Sequence, residues 1–240
     1  EMHLRTERLE AVAELSASLA HEIRNPLASI RSSVEQLAHT AGASEDEQTL
    51  AGLVVRESDR LSRLLNEFLD FSRVRVTRRE LLDLAAVAGA AAAVVRGHPD
   101  CQAAVTVDVR GQASPLEGDE DLLHRVVVNL VLNAVQAVGP GGQVVVEVRP
   151  AAPQDLPSGV QLDEPVLLRV RDNGPGIAPE IRERMFEPFV TDRAGGSGLG
   201  LAIVHRAVQA HRGVVLVDAA RPGTTFTVLL PGGAGGEAAP

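Results

Sequence analysis

Three groups of polar residues interrupt otherwise apolar segments, and each has the makings of a chemical site. The first is His21-Glu22-Ile23-Arg24-Asn25-Pro26-Leu27. At ~100° per residue, His21 lies about 200° from both Leu19 and Ile23, off the apolar stripe and facing solvent. Pro26 has no N–H for the carbonyl of Glu22 and its ring crowds that carbonyl, so the helix should bend within a turn of His21. A solvent-facing imidazole beside a carboxylate and a kink suits a nucleophile approached by a bulky donor. Glu22 would take the Nδ1 proton while Nε2 attacks, and Asn25 would position a water. The same residues also fit a surface histidine next to a surface glutamate. The other six histidines lack this setting, and no His-Glu-x-x-His is present, so a helical zinc site is not expected.

The second group is Asn129 and Asn133, four apart on one predicted helix, with Arg125 a turn before and Gln136 about a turn after. Buried amides need partners, and an amide oxygen is a good hard ligand for Mg²⁺; two surface amides would read the same way. The third is a pair of glycine-rich turns. Asp172-Asn173-Gly174-Pro175-Gly176 follows a strand and lets a planar ligand approach closely, and the Asp172 carboxylate at the strand end can accept from an exocyclic amine such as adenine N6. It is also strong turn chemistry in its own right. Gly196-Ser197-Gly198-Leu199-Gly200 leads into a helix whose first N–H groups suit phosphate. It is not a Walker A loop, since no Gly-Lys-Ser/Thr ends it. Phe186 to Ala194, just upstream, reads as a short lid with Phe186 and Phe189 at its base and Arg193 within reach of terminal phosphates.

The elements that must carry these groups divide the chain in two. Residues 1–76 hold two runs of apolar residues at three-four spacing, Val12 to Leu37 and Leu50 to Phe68. They predict a helical hairpin turning over His39–Glu47, which pairs with a second copy as a dimeric four-helix bundle. The first run opens without a cap, so its helix is expected to continue upstream. Residues 77–231 predict an α+β domain. Its strands are Leu81–Leu84, Val105–Val109, Val144–Val148, Val166–Val170, Val214–Val217 and Thr225–Leu230. Its helices are Ala85–Arg96, Asp119–Val138, Pro179–Met185 and Leu199–His211. The proline-rich stretch 150–164 reads as an exposed loop between paired strands, and 232–240 as a disordered tail.

Composition narrows the function classes. With 45% apolar and 23% charged residues the chain is globular, and with only 2% aromatics its core must be aliphatic. That scarcity weakens base-stacking nucleic-acid recognition. A net charge of −9 argues against binding to DNA or an anionic membrane surface. One cysteine, Cys101, excludes an intrachain disulfide and a cysteine-cluster zinc site. No continuous apolar run reaches a membrane span and no signal peptide is visible, so the expectation is a cytoplasmic location.

Taken in order, these motifs resemble the sensor histidine kinases of two-component signalling. His21 through Leu27 is similar to their H-box, Asn129 and Asn133 to the N-box, and Asp172 through Gly176 to the G1 box. Phe186 through Phe189 is similar to the F-box, and Gly196 through Gly200 to the G2 box. The wording around His21 is most similar to kinases paired with enhancer-binding regulators, such as those controlling nitrogen or pilin genes. One departure is Gln136, where many members carry lysine.

The resemblance implies a phosphoacceptor hairpin followed by a Bergerat (GHKL) α/β sandwich that binds ATP and Mg²⁺. It implies adenine on Asp172 with Gly174 and Gly176 in the same nucleotide pocket, metal on Asn129 and Asn133, and a lid that closes on the phosphates through Gly196, Gly198 and Gly200, with Arg193 and Leu199 also binding the nucleotide. It also implies His21, Glu22 and Asn25 as catalytic residues, a homodimer, a response-regulator receiver domain as partner, and an upstream sensor module. A GHKL-type ATPase or serine kinase shares the pocket but has no need of the hairpin. A non-catalytic dimeric scaffold has no need of intact glycine boxes.

Overall fold

The computed structural model describes residues 23–38, 44–98, 101, 105–193, 196–219 and 222–233. The chain divides into two compact units. One comprises residues up to Arg73 with Asp192–Leu199, the other Val74–Thr191 with Gly200 onward.

In the first unit, α1 (residues 23–38) and α2 (Glu45–Ser72) are antiparallel. Arg24 Nη2 donates to Asn66 Oδ1 at 2.7 Å and Arg31 Nη1 to Asp59 Oδ1 at 2.8 Å, so the pairing advances on α1 as it retreats on α2. Helix α2 starts earlier than its apolar pattern, because Ser44 and Glu47 form a capping box. Glu45, Asp46 and Glu47, of which the latter part of the expected turn was to consist, form the first helical turn, where negative charge complements the helix dipole. Ile23, Ile30 and Leu37 on α1, with Leu50, Leu53, Val54 and Leu61 on α2, stay 41–69% exposed in the single chain.

The second unit is a two-layer α/β sandwich. A five-stranded mixed sheet runs in the order β2 (Thr106–Gly111), β4 (Gln143–Pro150), β5 (Val166–Asp172), β7 (Thr225–Leu230), β6 (Val214–Asp218). Strands β2 and β4 are parallel and the other pairs antiparallel. Helices α3 (Leu84–Arg96), α4 (Glu120–Ala137) and α6 (Gly200–Ala210) pack together, and all three meet strands of this sheet. Alternation along β4 puts Val144, Val146 and Val148 in the core and leaves Val145, Glu147 and Arg149 half-buried on the opposite face. Helix α4 sits deepest, with Leu123, Val126, Val127, Leu130 and Val131 all buried. Each such side chain contributes roughly 1.5–3 kcal/mol, enough for the helix to carry two amides on its remaining face.

Three sequence expectations need correcting. A two-stranded sheet pairs β1 (Glu80–Asp83) with β3 (Pro115–Gly118), and β3 is absent from the expected set of strands. Proline and glycine at its two ends hide a strand that only a distant partner specifies. Helix α5 is Pro179–Arg182 rather than Pro179–Met185, and the chain continues in tight turns such as Arg184 N–H to Ile181 O. At the C-terminal end, Gly232 N–H donates to Asp163 O and Gly233 bridges to Leu116, so these two glycines are held. Residues 234–240 lie outside the described residues.

Candidate nucleotide site

The site is built on α4, the end of β5 and the start of α6. Asp119 caps α4, its Oδ1 accepting from Leu122 N–H at 3.2 Å, and this sets where the helix begins. Asn129 and Asn133 are half-buried, and Asn129 Nδ2 donates back to Arg125 O at 3.0 Å. With that amide hydrogen committed, Oδ1 points away from its own helix. A Cβ added at Gly200, the first residue of α6, would lie 3.0 Å from Asn129 Oδ1 and 3.8 Å from Asn133 Nδ2. The absence of a side chain there keeps the space in front of both amides open.

Asp172 ends β5 and is buried. Its Oδ1 accepts from Gly174 N–H at 2.8 Å and Thr224 N–H at 3.2 Å, while its own N–H donates to Thr224 O. Two backbone donors on one oxygen orient the carboxylate and leave Oδ2 with a separate direction. Gly174 is half-buried, and Gly176 has φ +84°, a left-handed geometry. Next to it, Asn173 Oδ1 accepts from Gln143 N–H at 2.8 Å and ties the turn to β4.

Phe186 stacks on His205 of α6, with centroids 5.1 Å apart and planes 26° from parallel. Burial lowers the His205 pKa and so favours the neutral ring in this stack. Phe189 does not match its expected anchoring role, since it is 56% exposed and holds φ +66°. Among the described residues, no group of three His, Cys, Asp or Glu side chains is placed to hold a metal. Hard-cation binding here would rest on amide oxygens, which the Asn pair supplies. No described helix is long and apolar enough to cross a membrane.

Comparison with known proteins finds two family models on the chain. The His Kinase A (phospho-acceptor) domain matches residues 11–76, and the histidine kinase-, DNA gyrase B- and HSP90-like ATPase domain matches 118–234. The mycobacterial sensor histidine kinase MprB structure is 32% identical, with TM-score 0.54, covering 65% of this chain and 98% of that one. This chain belongs to the sensor histidine kinases. The sensor histidine kinase ZraS of Escherichia coli O157:H7 is 34% identical over 229 residues, 95% of this chain and 48% of that protein. The sensory histidine kinase/phosphatase NtrB of Rhizobium meliloti (strain 1021) is 32% identical over 230 residues, 94% of this chain and 60% of that protein. Full-length ShkA in complex with AMPPNP is 26% identical, with TM-score 0.69, covering 93% of this chain and 47% of that one. The chain thus spans about half the length of the curated relatives it matches.

Within this chain the expected site residues distribute as follows. Asn25 is exposed on α1, its carbonyl accepting from Ser29 Oγ at 3.1 Å. His21 and Glu22 lie outside the described residues. In the segment Asp192–Leu199, Arg193 is half-buried, Gly196 exposed and Leu199 buried. Gly198 has φ +69°, and Leu199 N–H donates to Ser197 Oγ at 3.2 Å. The structure brings together Asn129, Asn133 and Gly200 in one place, and Asp172 and Gly174 in another.

Two residues that hold Asp172 went unread in the sequence. Thr224 O accepts from Asp172 N–H while Thr224 N–H donates to Asp172 Oδ1, and Gly223, at φ +99°, lies so close that a Cβ would overlap the Asp172 carbonyl oxygen. The available signal was Pro222-Gly223-Thr224 immediately before a strand, which by itself is a common turn.

Proposed function

We propose that this chain is an ATP-dependent protein-histidine kinase that phosphorylates its own His21 and passes the phosphoryl group to an aspartate of a response-regulator receiver domain. The observation that carries this reading is the Asn129–Asn133 pair held open by Gly200 on the same polypeptide as a phosphoacceptor-type hairpin. In this reading Asp172 accepts from the adenine amine of ATP, and Asn129 and Asn133 present amide oxygens to Mg²⁺. The metal, when bound, neutralises phosphate charge. Gly174, Gly176, Arg193, Gly196, Gly198, Leu199 and Gly200 belong to the turns that accommodate and cover the nucleotide.

His21 Nε2 forms a bond to the γ-phosphorus as the bond to the β,γ-bridging oxygen breaks, and ADP leaves. Glu22 takes the Nδ1 proton that the new imidazolium would otherwise retain. Positioning and charge neutralisation supply most of the rate. Asn25, exposed on α1, would hold a water for the reverse duty of dephosphorylating the regulator; NtrB is itself named a kinase/phosphatase. The exposed apolar rows of α1 and α2 support a homodimer through a four-helix bundle. A cytoplasmic location and an upstream sensor module complete the proposal.

The test is incubation with γ-labelled ATP followed by tryptic mapping. The label is expected on His21, acid-labile and base-stable, and His21→Ala is expected to abolish it while nucleotide binding persists. Label that survives in the variant, or acid-stable label on serine, overturns the assignment.

A further inference from the structure

Residues 74–79, which lead from α2 into β1, are held at one point. Asp119 Oδ2 accepts from Thr77 N–H at 3.1 Å, Thr77 Oγ1 at 3.2 Å and Arg78 N–H at 3.4 Å. The other oxygen of the same carboxylate, Oδ1, caps α4. Asp119 N–H donates to His211 Nε2 at 2.9 Å, and His211 Nδ1 lies 2.7 Å from Ala207 O. Accepting at Nε2 leaves the ring proton on Nδ1, so His211 is the neutral tautomer that donates to Ala207. Both residues are buried, Asp119 at 6% and His211 at 3% exposure. His211 stands at the C-terminal end of α6, where Gly213 N–H to Val208 O and Arg212 N–H to Gln209 O close a Schellman turn. One residue therefore joins three elements: its carboxylate holds the linker and the start of the helix bearing Asn129 and Asn133, and its backbone N–H meets the end of the helix that opens at Gly200.

The electrostatics agree with this arrangement. Burial alone would raise the Asp119 pKa, but the N–H groups of Thr77, Leu122 and Arg78 and the Thr77 hydroxyl outweigh it and hold the carboxyl below its usual range. Burial, reinforced by Arg79, holds His211 below the usual imidazole range against the opposing pulls of Ala207 O and Asp119. An ionised acceptor with backbone donors on both oxygens is stiffer than a neutral cap. A cap needs only Oδ1; the three bonds to Oδ2 serve the linker.

We propose that Asp119, seated by His211, is a positioning residue that locks the linker to the nucleotide-binding helices and so limits how the nucleotide domain is presented to the phosphoacceptor. This rests on the kinase reading for its catalytic consequence but not for the joint itself. Restricting orientation raises the frequency of productive encounters within one molecule.

Asp119→Ser separates the two duties, because serine still caps α4 but is too short to hold Thr77 and Arg78 as well. In the intact chain, amide hydrogen exchange at residues 77–78 is expected to speed up at least about tenfold in Asp119→Ser. The rate constant for His21 labelling is expected to fall several-fold, roughly three to ten, with the KM for ATP unchanged. Thr77→Val, which removes only the hydroxyl bond, is expected to move both readouts the same way by less. Unchanged exchange overturns the joint. Faster exchange with an unchanged rate overturns the positioning role, as does a change confined to KM. A wild-type chain that never labels His21 defeats the kinase reading instead, and the exchange measurement still decides the joint.

Discussion

At the scale of single residues, Asp172 divides its work between two oxygens. Oδ1 is committed to Gly174 and Thr224, so the carboxylate is oriented before any ligand arrives. Asp172→Asn retains Oδ1 as an acceptor and turns the other atom into a donor. Binding of ATP measured by calorimetry is expected to weaken by about tenfold or more, because an amine would face an amine, with little change in melting temperature. Affinity equal to wild type would remove Asp172 from the adenine contact. Asp172 itself was legible from Asp-x-Gly-x-Gly after a strand. Its supports at Gly223 and Thr224 were not, since some fifty residues of chain separate groups that touch only because β5 and β7 pair.

At the scale of elements, the connection between β4 and β5 differs from its composition. Three prolines suggest a solvent-washed loop, yet Asp155 within it is buried to 8% side-chain exposure. Arg149 grips it through two bonds of 2.8 and 2.9 Å, Arg169 adds a contact at 3.4 Å, and Glu147 bridges both arginines from β4. Ala152 N–H donates to Asp155 Oδ2 at 2.7 Å and closes the turn. Chiefly through its hydrogen bonds with Arg149, the Asp155 carboxyl is pushed down to about 2. The folded pKa lies below the unfolded value of about 4, so this contribution to stability is present above pH ~4 and is lost as pH falls toward 2. Asp155→Ala is expected to cost about 1–3 kcal/mol at neutral pH, and the gap from wild type should close as the pH falls from 4 to 2. Urea unfolding across that range checks it, and a gap independent of pH would count against the ion-pair account. Strand β3 illustrates the same lesson: four residues, two of them proline and glycine, become a strand because β1 lies opposite.

For the whole molecule, the exposed apolar residues of the hairpin state what a single copy lacks. Ile23, Ile30 and Leu37 recur every seven residues on α1 and remain 44%, 47% and 69% exposed. A seam of that period is satisfied by another helix rather than by water. Ile30→Glu with Leu37→Glu is therefore expected to turn a dimer into a monomer in sedimentation equilibrium, while the nucleotide domain unfolds at its usual temperature. A dimer that survives both charges would place the interface elsewhere. Periodicity, glycine spacing and the order of motifs were enough to determine the helical hairpin and the α+β class, and to nominate the residues of the candidate site. Those signals are local, set by the repeat of a helix or strand and by which residues tolerate a tight turn. The β1–β3 pairing, the Thr224 hold on Asp172, the Asp155 cluster and the meeting of Thr77, Asp119 and His211 were decided by folding alone. Each joins groups far apart in the chain, and their partners are chosen by packing and by the need of buried polar atoms for hydrogen bonds, for which no short pattern exists.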